Sequence, residues 1–166
     1  LRLCNYGEMA MVRRLATYIV GAQDAPLLQT LWKESKSEMN ESITADEQIA
    51  SNCLSLERVY VITSSYTQGA AEWLVQALKG VLGEENVLTF GTKTAGQNVM
   101  LHPVESASGD VTLQLAAAYV ADCNGSYDYA GGHVPMAEID EYSYADLYPY
   151  GDLREAVLAE VIRAMF

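Results

Sequence analysis

A strand–helix–strand pattern in the middle of the chain constrains the fold more than any other feature. Val59-Tyr60-Val61-Ile62 is a β-branched and aromatic run, which is typical of a buried strand. Residues 70–82 then carry apolar side chains at helical spacing, and residues 87–90 (VLTF) form a second compact apolar run. A connection of this length predicts a βαβ crossover. We therefore expect two parallel strands and an α/β domain.

The rest of the chain shows weaker patterns of the same kinds. Residues 1–4 form a short apolar segment that resembles the continuation of a strand. Helical spacing predicts a helix that starts near residue 8 and closes at Gly21, and a C-terminal helix over 152–166. Two further strands are predicted at 99–102 and 111–119. The expected fold is a mixed, partly parallel sheet flanked by helices.

Residues 22–55 are polar and weakly periodic, and we interpret them as a surface insertion or lid. The whole chain of 166 residues fits a single domain, and half of it is apolar, enough to bury a core. The chain lacks an initiator Met and begins directly on Leu1. We interpret it as the C-terminal part of a longer protein.

The composition disfavours several kinds of partner. The net charge is −12, from 22 acidic and ten basic side chains, which argues against sequence-independent nucleic-acid binding. No apolar run reaches the roughly 18 residues of a membrane span. The three cysteines form no CxxC motif or Cys/His cluster, so we predict neither a metal site nor a cofactor. We interpret Cys4, Cys53 and Cys123 as buried apolar side chains.

The turn between the first central strand and its helix is the best candidate for chemistry. It consists of small residues, 63–69 (TSSYTQG), directly before a helix N-terminus. Backbone N–H groups at such an end stabilise a developing oxyanion. Any strand–helix loop shows this pattern, so the residues alone leave the role of the turn open.

Four segments, in order, resemble motifs of one family. Residues 1–8 (LRLCNYGE) resemble the family segment D-L-R-x-N-x-G-G, starting from the residue that follows its Asp. Residues 59–72 resemble the family segment V-x-V-L-T…T-A-S-A-S-E. Residues 91–97 (GTKTAGQ) are similar to G-E-x-T-x-G-K, and 124–135 to N-x-G-x-x-D-Y…G-x-x-P. The chain thus resembles the core of the C-terminal-processing (tail-specific) serine peptidase family over most of its length, apart from residues 22–55.

The resemblance implies a fold related to the Clp protease and crotonase group, with a serine–lysine dyad. In such a dyad the Lys must be neutral to accept the Ser proton, which requires a pKa lowered by burial. In the family motif the nucleophile lies three residues before the Glu. Here that Glu is Glu72, and the nucleophile position is Gly69. The base position is Gln97.

Neither residue can perform the chemistry that the resemblance assigns to its position. Gly69 has no side chain, and the uncharged amide of Gln97 is not a useful proton acceptor near neutral pH. The oxyanion donors would be the N–H groups of Ala70 and of the turn at Gly7, where Tyr6 occupies a position at which Gly is common. The resemblance therefore implies an oxyanion region without an intact dyad.

The leading hypothesis is a catalytically deficient family member that binds a peptide or a protein C-terminus against a strand edge. The alternative is an active serine-type peptidase whose nucleophile has moved to Thr67 or Ser65. Lys93 is expected to be a solvated surface side chain, and Glu72 a charge partner of the helix N-terminus. The two imidazoles, which no pattern places near the turn, belong to His102 and His133.

The resemblance also implies an exported, lipid-anchored protein of the periplasm or cell envelope. Acyl-CoA chemistry of the crotonase type is a remote alternative, because no segment of the sequence resembles a nucleotide cradle. The sequence leaves the bound peptide and the oligomeric state open.

Overall fold

A computed structural model describes all 166 residues as two sheets with helices packed between and around them. Three short 3-10 helices, Glu34–Met39, Glu84–Asn86 and Glu141–Ser143, join the regular elements. The regular elements in chain order are α1 (Met9–Val20), β1 (Leu28–Trp32), β2 (Glu41–Ile43), α2 (Glu47–Ala50), β3 (Val59–Thr63), α3 (Ala70–Leu82), β4 (Val87–Gly91), β5 (Val99–Glu105), β6 (Thr112–Asp122), β7 (Ala137–Glu138) and α4 (Ala156–Met165).

The predicted βαβ crossover is confirmed. β3 and β4 pair in parallel over their full length, from Val59 opposite Val87 to Thr63 opposite Gly91. The short strand β7 pairs in parallel with the other side of β4, so the order in this sheet is β3-β4-β7. The carboxyl ends of all three strands therefore meet at one edge, beside the turn that leads into α3.

The second sheet is antiparallel, with the order β2-β1-β6-β5. Its strands β5 and β6 confirm the two predicted strands, although both run beyond the predicted ends, to Glu105 and Asp122. β5 is an edge strand that pairs with β6 alone. It begins two residues after Gln97 and therefore starts at the candidate site.

Helix α3 is the centre of the core. Every residue from 70 to 78 is buried, because α3 packs on α1 along one side and on β1, β4 and β6 along others. The mixed α/β fold expected from the sequence is thus the observed fold. A smaller apolar cluster joins α4 to the parallel sheet through Phe90, Ile139, Val157 and Val161.

Two predictions about the first third of the chain were wrong. Residues 1–4 form no strand; instead the Leu1 carbonyl accepts a hydrogen bond from Thr67 Oγ1 at 3.0 Å, and this contact holds the segment against the turn after β3. Residues 22–55 are not surface alone, because Leu28 is fully buried in β1 between β2 and β6. A five-residue strand flanked by polar segments is too short for periodicity to reveal. The lid role of 22–55 stays a prediction.

Two further expectations need correction. The C-terminal helix begins at Ala156 rather than near residue 152, and residues 152–154 form a separate turn in which the Asp152 carboxylate accepts hydrogen bonds from the backbone and side chain of Arg154. None of the three cysteines is buried: one is exposed and two are partly exposed, and all are free thiols.

Arg2 joins the first residues of the chain to the last helix. Its guanidinium donates to Glu141 at 2.8 Å and to Glu155 at 3.0 Å, and it lies 4.4 Å from the centre of the Tyr150 ring. Burial acts to lower the pKa of Arg2, but the hydrogen bond and charge of Glu155 and the charge of Glu141 outweigh it and raise that pKa. Because Glu155 caps α4, this ion pair fixes where α4 begins.

We expect Arg2→Met to lower the free energy of unfolding by about 3 kcal/mol, because it leaves the buried Glu155 without its cation. Urea denaturation followed by circular dichroism measures the change. Arg154→Met is the matched control, since its ion pair with Asp152 is exposed and its loss should change stability little. Equal effects of the two substitutions would show that the Arg2 ion pair has no special structural role.

Candidate functional site

The turn after β3 has the backbone geometry that presents a side chain at a helix start. It enters α3 at Gly69, the N-cap residue, whose φ of 59° and ψ of −119° lie where side-chain-bearing residues are strained. A strained strand–turn–helix of this kind exposes the nucleophile in enzymes of the α/β-hydrolase fold. Gly69 is therefore the residue that this turn presents at the start of α3, and it has no side chain.

The structure brings the two predicted dyad positions together. A Cβ atom built on Gly69 would lie 3.5 Å from Gln97 Oε1 and 3.6 Å from Gln97 Nε2. The Gln97 amide is itself held in place, since Oε1 accepts from Gln68 Nε2 at 3.0 Å and Nε2 donates to the Val99 carbonyl at 3.3 Å. A side chain at position 69 would therefore face the side chain at position 97.

Glu72 holds the turn and the 94–97 loop against each other. Its side chain is fully buried and accepts four hydrogen bonds. The donors are the backbone N–H groups of Gly69 (3.2 Å), Gly96 (2.6 Å) and Gln97 (2.7 Å), and the hydroxyl of Thr94 (2.5 Å). The bond to Gly69 is half of a capping box. The other three explain why position 97 lies over the helix N-terminus.

Thr94 and His133 contact each other and Glu72 on the buried side of the site. Thr94 Oγ1 also accepts from the backbone N–H of His133 at 2.8 Å. The His133 ring is buried, stacks on Tyr129 with 4.8 Å between ring centres, and places Nε2 3.3 Å from the Glu72 carbonyl oxygen. Burial lowers the pKa of His133 to about 4, and the positive charge of Lys79 acts in the same direction. His133 is therefore a neutral structural side chain at neutral pH.

The two residues predicted to supply the oxyanion donors are in contact. Gly7 packs so closely on α3 that an added Cβ would approach the Ala70 Cβ to 2.8 Å, so this position requires glycine. The N–H groups of Gly7 and Ala70 donate to no backbone or side-chain acceptor. Tyr6 is 85% exposed, so most of its ring points into solvent rather than over this region.

The alternative nucleophiles differ in their freedom to react. Thr67 is fully buried, and its hydroxyl both donates to the Leu1 carbonyl at 3.0 Å and accepts from the Ser64 N–H at 2.9 Å. Ser65 is exposed, and its backbone N–H donates to Thr92 Oγ1 at 3.1 Å. Lys93 is exposed, as predicted. No Lys or His side chain donates to or accepts from either hydroxyl group.

The histidines lie away from the turn hydroxyls. His102 is exposed on β5 and packs edge-on against Trp32, with 6.3 Å between the ring centres. His133 lies beneath Glu72, as described above. Neither imidazole forms a hydrogen bond with Ser65 or Thr67, so the structure brings together no Ser/His pair in this turn.

Sequence reasoning missed how much of the site rests on two residues. Glu72 was expected to be only a charge partner of a helix end, and nothing in the pattern indicated that it would accept from the 94–97 loop. Trp73 is one of the apolar side chains over residues 70–82, but its Nε1 also donates to the Gln97 carbonyl at 3.1 Å, which helical spacing does not predict. The acid three residues after a helix-starting Gly was the one available signal.

The structure shows neither a metal-binding cluster nor a helix that could cross a membrane. No group of three or more His, Cys, Asp or Glu side chains lies close enough to hold a metal ion. None of the helices combines the length and the apolar character that a bilayer crossing requires.

Comparison with known proteins identifies the fold. No protein-family model matches the chain, and no curated protein does. Among solved structures, a protein assigned as an S41 protease in Bacteroides fragilis superposes with a TM-score of 0.88 at 28% identity, over 99% of this chain and 43% of that chain. The photosystem II D1 C-terminal processing protease gives 0.63 at 21% identity, over 84% of this chain and 33% of that chain. A lipoprotein from Streptococcus agalactiae superposes with a TM-score of 0.59 at 18% identity, over 94% of this chain and 50% of that chain.

These similarities show a peptidase-like domain with the fold of the S41 protease core. The matches at 21% and 18% identity establish the fold alone. The chain spans 43% of the length of the Bacteroides fragilis protein, so the activity of a whole S41 protease does not transfer to it directly.

We expect Glu72→Gln to lower the free energy of unfolding by about 2 kcal/mol, because an amide turns an N–H₂ group toward backbone donors that need an acceptor. Hydrogen exchange at the Gly96 and Gln97 amides should also become faster. Glu47→Gln, at an exposed helix start, is the matched control and should change neither. Unchanged exchange at both amides would show that Glu72 does not hold this loop.

The pKa of His133 predicts a loss of stability in acid. Because that pKa is lowered to about 4 in the folded state, the unfolded chain takes up the proton first as the pH falls below about 6.5. The loss should grow to about 3 kcal/mol by pH 4. His133→Phe keeps the stack on Tyr129 and should flatten the unfolding free energy between pH 6.5 and 4.5 relative to the unsubstituted chain. His102→Phe, at an exposed site, should leave the slope unchanged; parallel curves for all three proteins would contradict the assignment.

Proposed function

We propose that this chain is a peptidase-like domain that binds peptide without cutting it. One observation carries the proposal: the strained turn aims position 69 at position 97, and these two positions hold Gly and Gln. A nucleophile needs a hydroxyl or thiol, and a general base needs a group that accepts a proton near neutral pH. Gly69 and Gln97 supply neither.

Two features of the site support binding of a peptide backbone. Gly7 and Ala70 are in contact and their N–H groups donate to no protein acceptor, which suits a peptide carbonyl as well as an oxyanion. Edge strand β5 starts at the site and offers an unpaired backbone edge to an extended segment. The occupant we propose is a peptide or a protein C-terminus.

An active peptidase with a moved nucleophile is the competing function. Thr67 supports it poorly, because both hydrogen-bonding roles of its hydroxyl are taken within a buried turn. Ser65 is the better candidate, since it is exposed and three turn residues separate it from Gly69. Its hydroxyl forms no hydrogen bond with a side chain that could act as the base that an activated serine requires.

An exported or cell-envelope location remains part of the proposal. The family resemblance implies it, and one protein of similar fold is a lipoprotein from Streptococcus agalactiae. Cell fractionation of the native host, with an antibody against this domain, tests it directly.

The reactivity test uses a fluorophosphonate probe and intact mass spectrometry. The unsubstituted chain should form no adduct. Gly69→Ser combined with Gln97→Lys should form one slowly, because a Ser at position 69 would face the Lys within about 4 Å. Each single substitution should react far less, since a dyad needs both members. An active relative of the same family is the positive control.

A stoichiometric adduct on the unsubstituted chain at Ser64, Ser65 or Thr67 would overturn the proposal and make the chain an enzyme. Binding is measured separately, by fluorescence anisotropy with a dye-labelled peptide of nine alanines. We expect saturable binding by the unsubstituted chain. Absence of both an adduct and peptide binding would leave the fold without this function.

A further inference from the structure

A pocket of about 310 Å³ lies beside the turn, at the carboxyl ends of β3 and β4. It is enclosed by residues 63–66 of the turn, by Gly91 and Thr92, and by the loop 139–142. Neither Gly69 nor Gln97 lines it. Crevices at the carboxyl ends of parallel strands are a common place for ligands in α/β proteins. The pocket and the predicted dyad positions are therefore neighbouring features of one turn.

The walls of the pocket suit a side chain with an apolar stem. Ile139 and Val157 are buried lining residues, 8% and 2% exposed. The rings of Tyr66 and Tyr142 are 61% and 65% exposed, so they stand at the rim rather than fill the space. An aliphatic stem could pass between these rings and contact the apolar floor.

The charges around the pocket favour a cation. The one basic residue in its wall is Arg2, which already pairs with Glu141 and Glu155 and is covered by the Tyr150 ring. Asp140 adds a third carboxylate and is exposed. Three carboxylates against one guanidinium leave an excess of negative charge. The guanidinium is already paired with two carboxylates and stacked on Tyr150, which disfavours an anionic ligand, whereas tyrosine rings and carboxylates both attract a cation.

We propose that this pocket receives a Lys or Arg side chain of the peptide bound by the domain. The inference rests on the proposed function, because it places a side-chain pocket next to the backbone-binding turn. The stem of the side chain packs on Ile139 and Val157, and its cationic end lies between Asp140 and the two tyrosine rings. The pocket thus gives the domain a preference for basic residues that the resemblance alone does not imply.

Three labelled peptides test the preference: four alanines on either side of a central Lys, norleucine or Glu, each with the same neutral dye. Norleucine keeps an aliphatic stem and removes the charge. At low salt we expect the Lys peptide to bind about five-fold more tightly than the norleucine peptide, and the Glu peptide to bind most weakly. At roughly 0.5 M salt the differences should shrink, because screening weakens exposed charge pairs.

A matched pair of substitutions separates the pocket from the general charge of the chain. The net charge of −12 attracts any cationic peptide, so selectivity alone would not locate the site. Asp140→Asn removes one charge at the pocket while the Asn oxygen can still accept from the Tyr142 N–H, as Asp140 does. Asp110→Asn removes the same charge in the exposed turn between β5 and β6. We expect D140N to reduce the Lys preference about three- to five-fold and D110N to leave it nearly unchanged.

The outcomes separate the pocket from the proposed function. Equal binding of the three peptides, or equal effects of D140N and D110N, would overturn the pocket assignment and leave peptide binding intact. Tighter binding of the norleucine peptide would make the pocket an apolar one. Failure of all three peptides to bind would overturn the proposed function and this inference together. Thermal melts confirm that both variants are folded before binding is compared.

Discussion

The buried carboxylate of Glu72 is the interaction on which the rest of the site depends. It accepts from the helix-starting N–H of Gly69 and from two N–H groups of the 94–97 loop. A buried carboxylate is costly unless its oxygens are satisfied, and here four donors satisfy it. Because its partners are fixed backbone groups of two segments far apart in sequence, it sets the distance between positions 69 and 97.

This arrangement does not depend on the side chains at positions 69 and 97. Of the four donors to Glu72, three are backbone N–H groups and the fourth is Thr94. None is a side chain at position 69 or 97. The scaffold therefore does not need a Ser or a Lys at those positions, and Gly69 even relieves the strain of a positive φ. The spacing of positions 69 and 97 is therefore independent of the side chains that occupy them.

A second connection ties the ends of the chain to the same turn. Arg2 bridges the N-terminal segment to Glu141 and Glu155, while the Leu1 carbonyl accepts from Thr67 in the turn. The two most distant parts of the sequence thus enclose the pocket beside the turn. The excess of carboxylates around the pocket follows from this packing, because the charge of Arg2 is already paired with neighbouring carboxylates such as the buried Glu155.

The sequence by itself determined the βαβ unit, with β3, α3 and β4 found at the predicted positions, because long apolar runs at a clear period have one packing solution. Through the resemblance, it also pointed to Gly69 and Gln97 as paired positions. Strand β1 and the start of α4 at Ala156 came only from tertiary structure, because their limits are set by pairing with β6 and by the Arg2–Glu155 contact. The role of Glu72 was likewise decided in three dimensions: a carboxylate shows no preference in sequence among donors that only folding brings within reach.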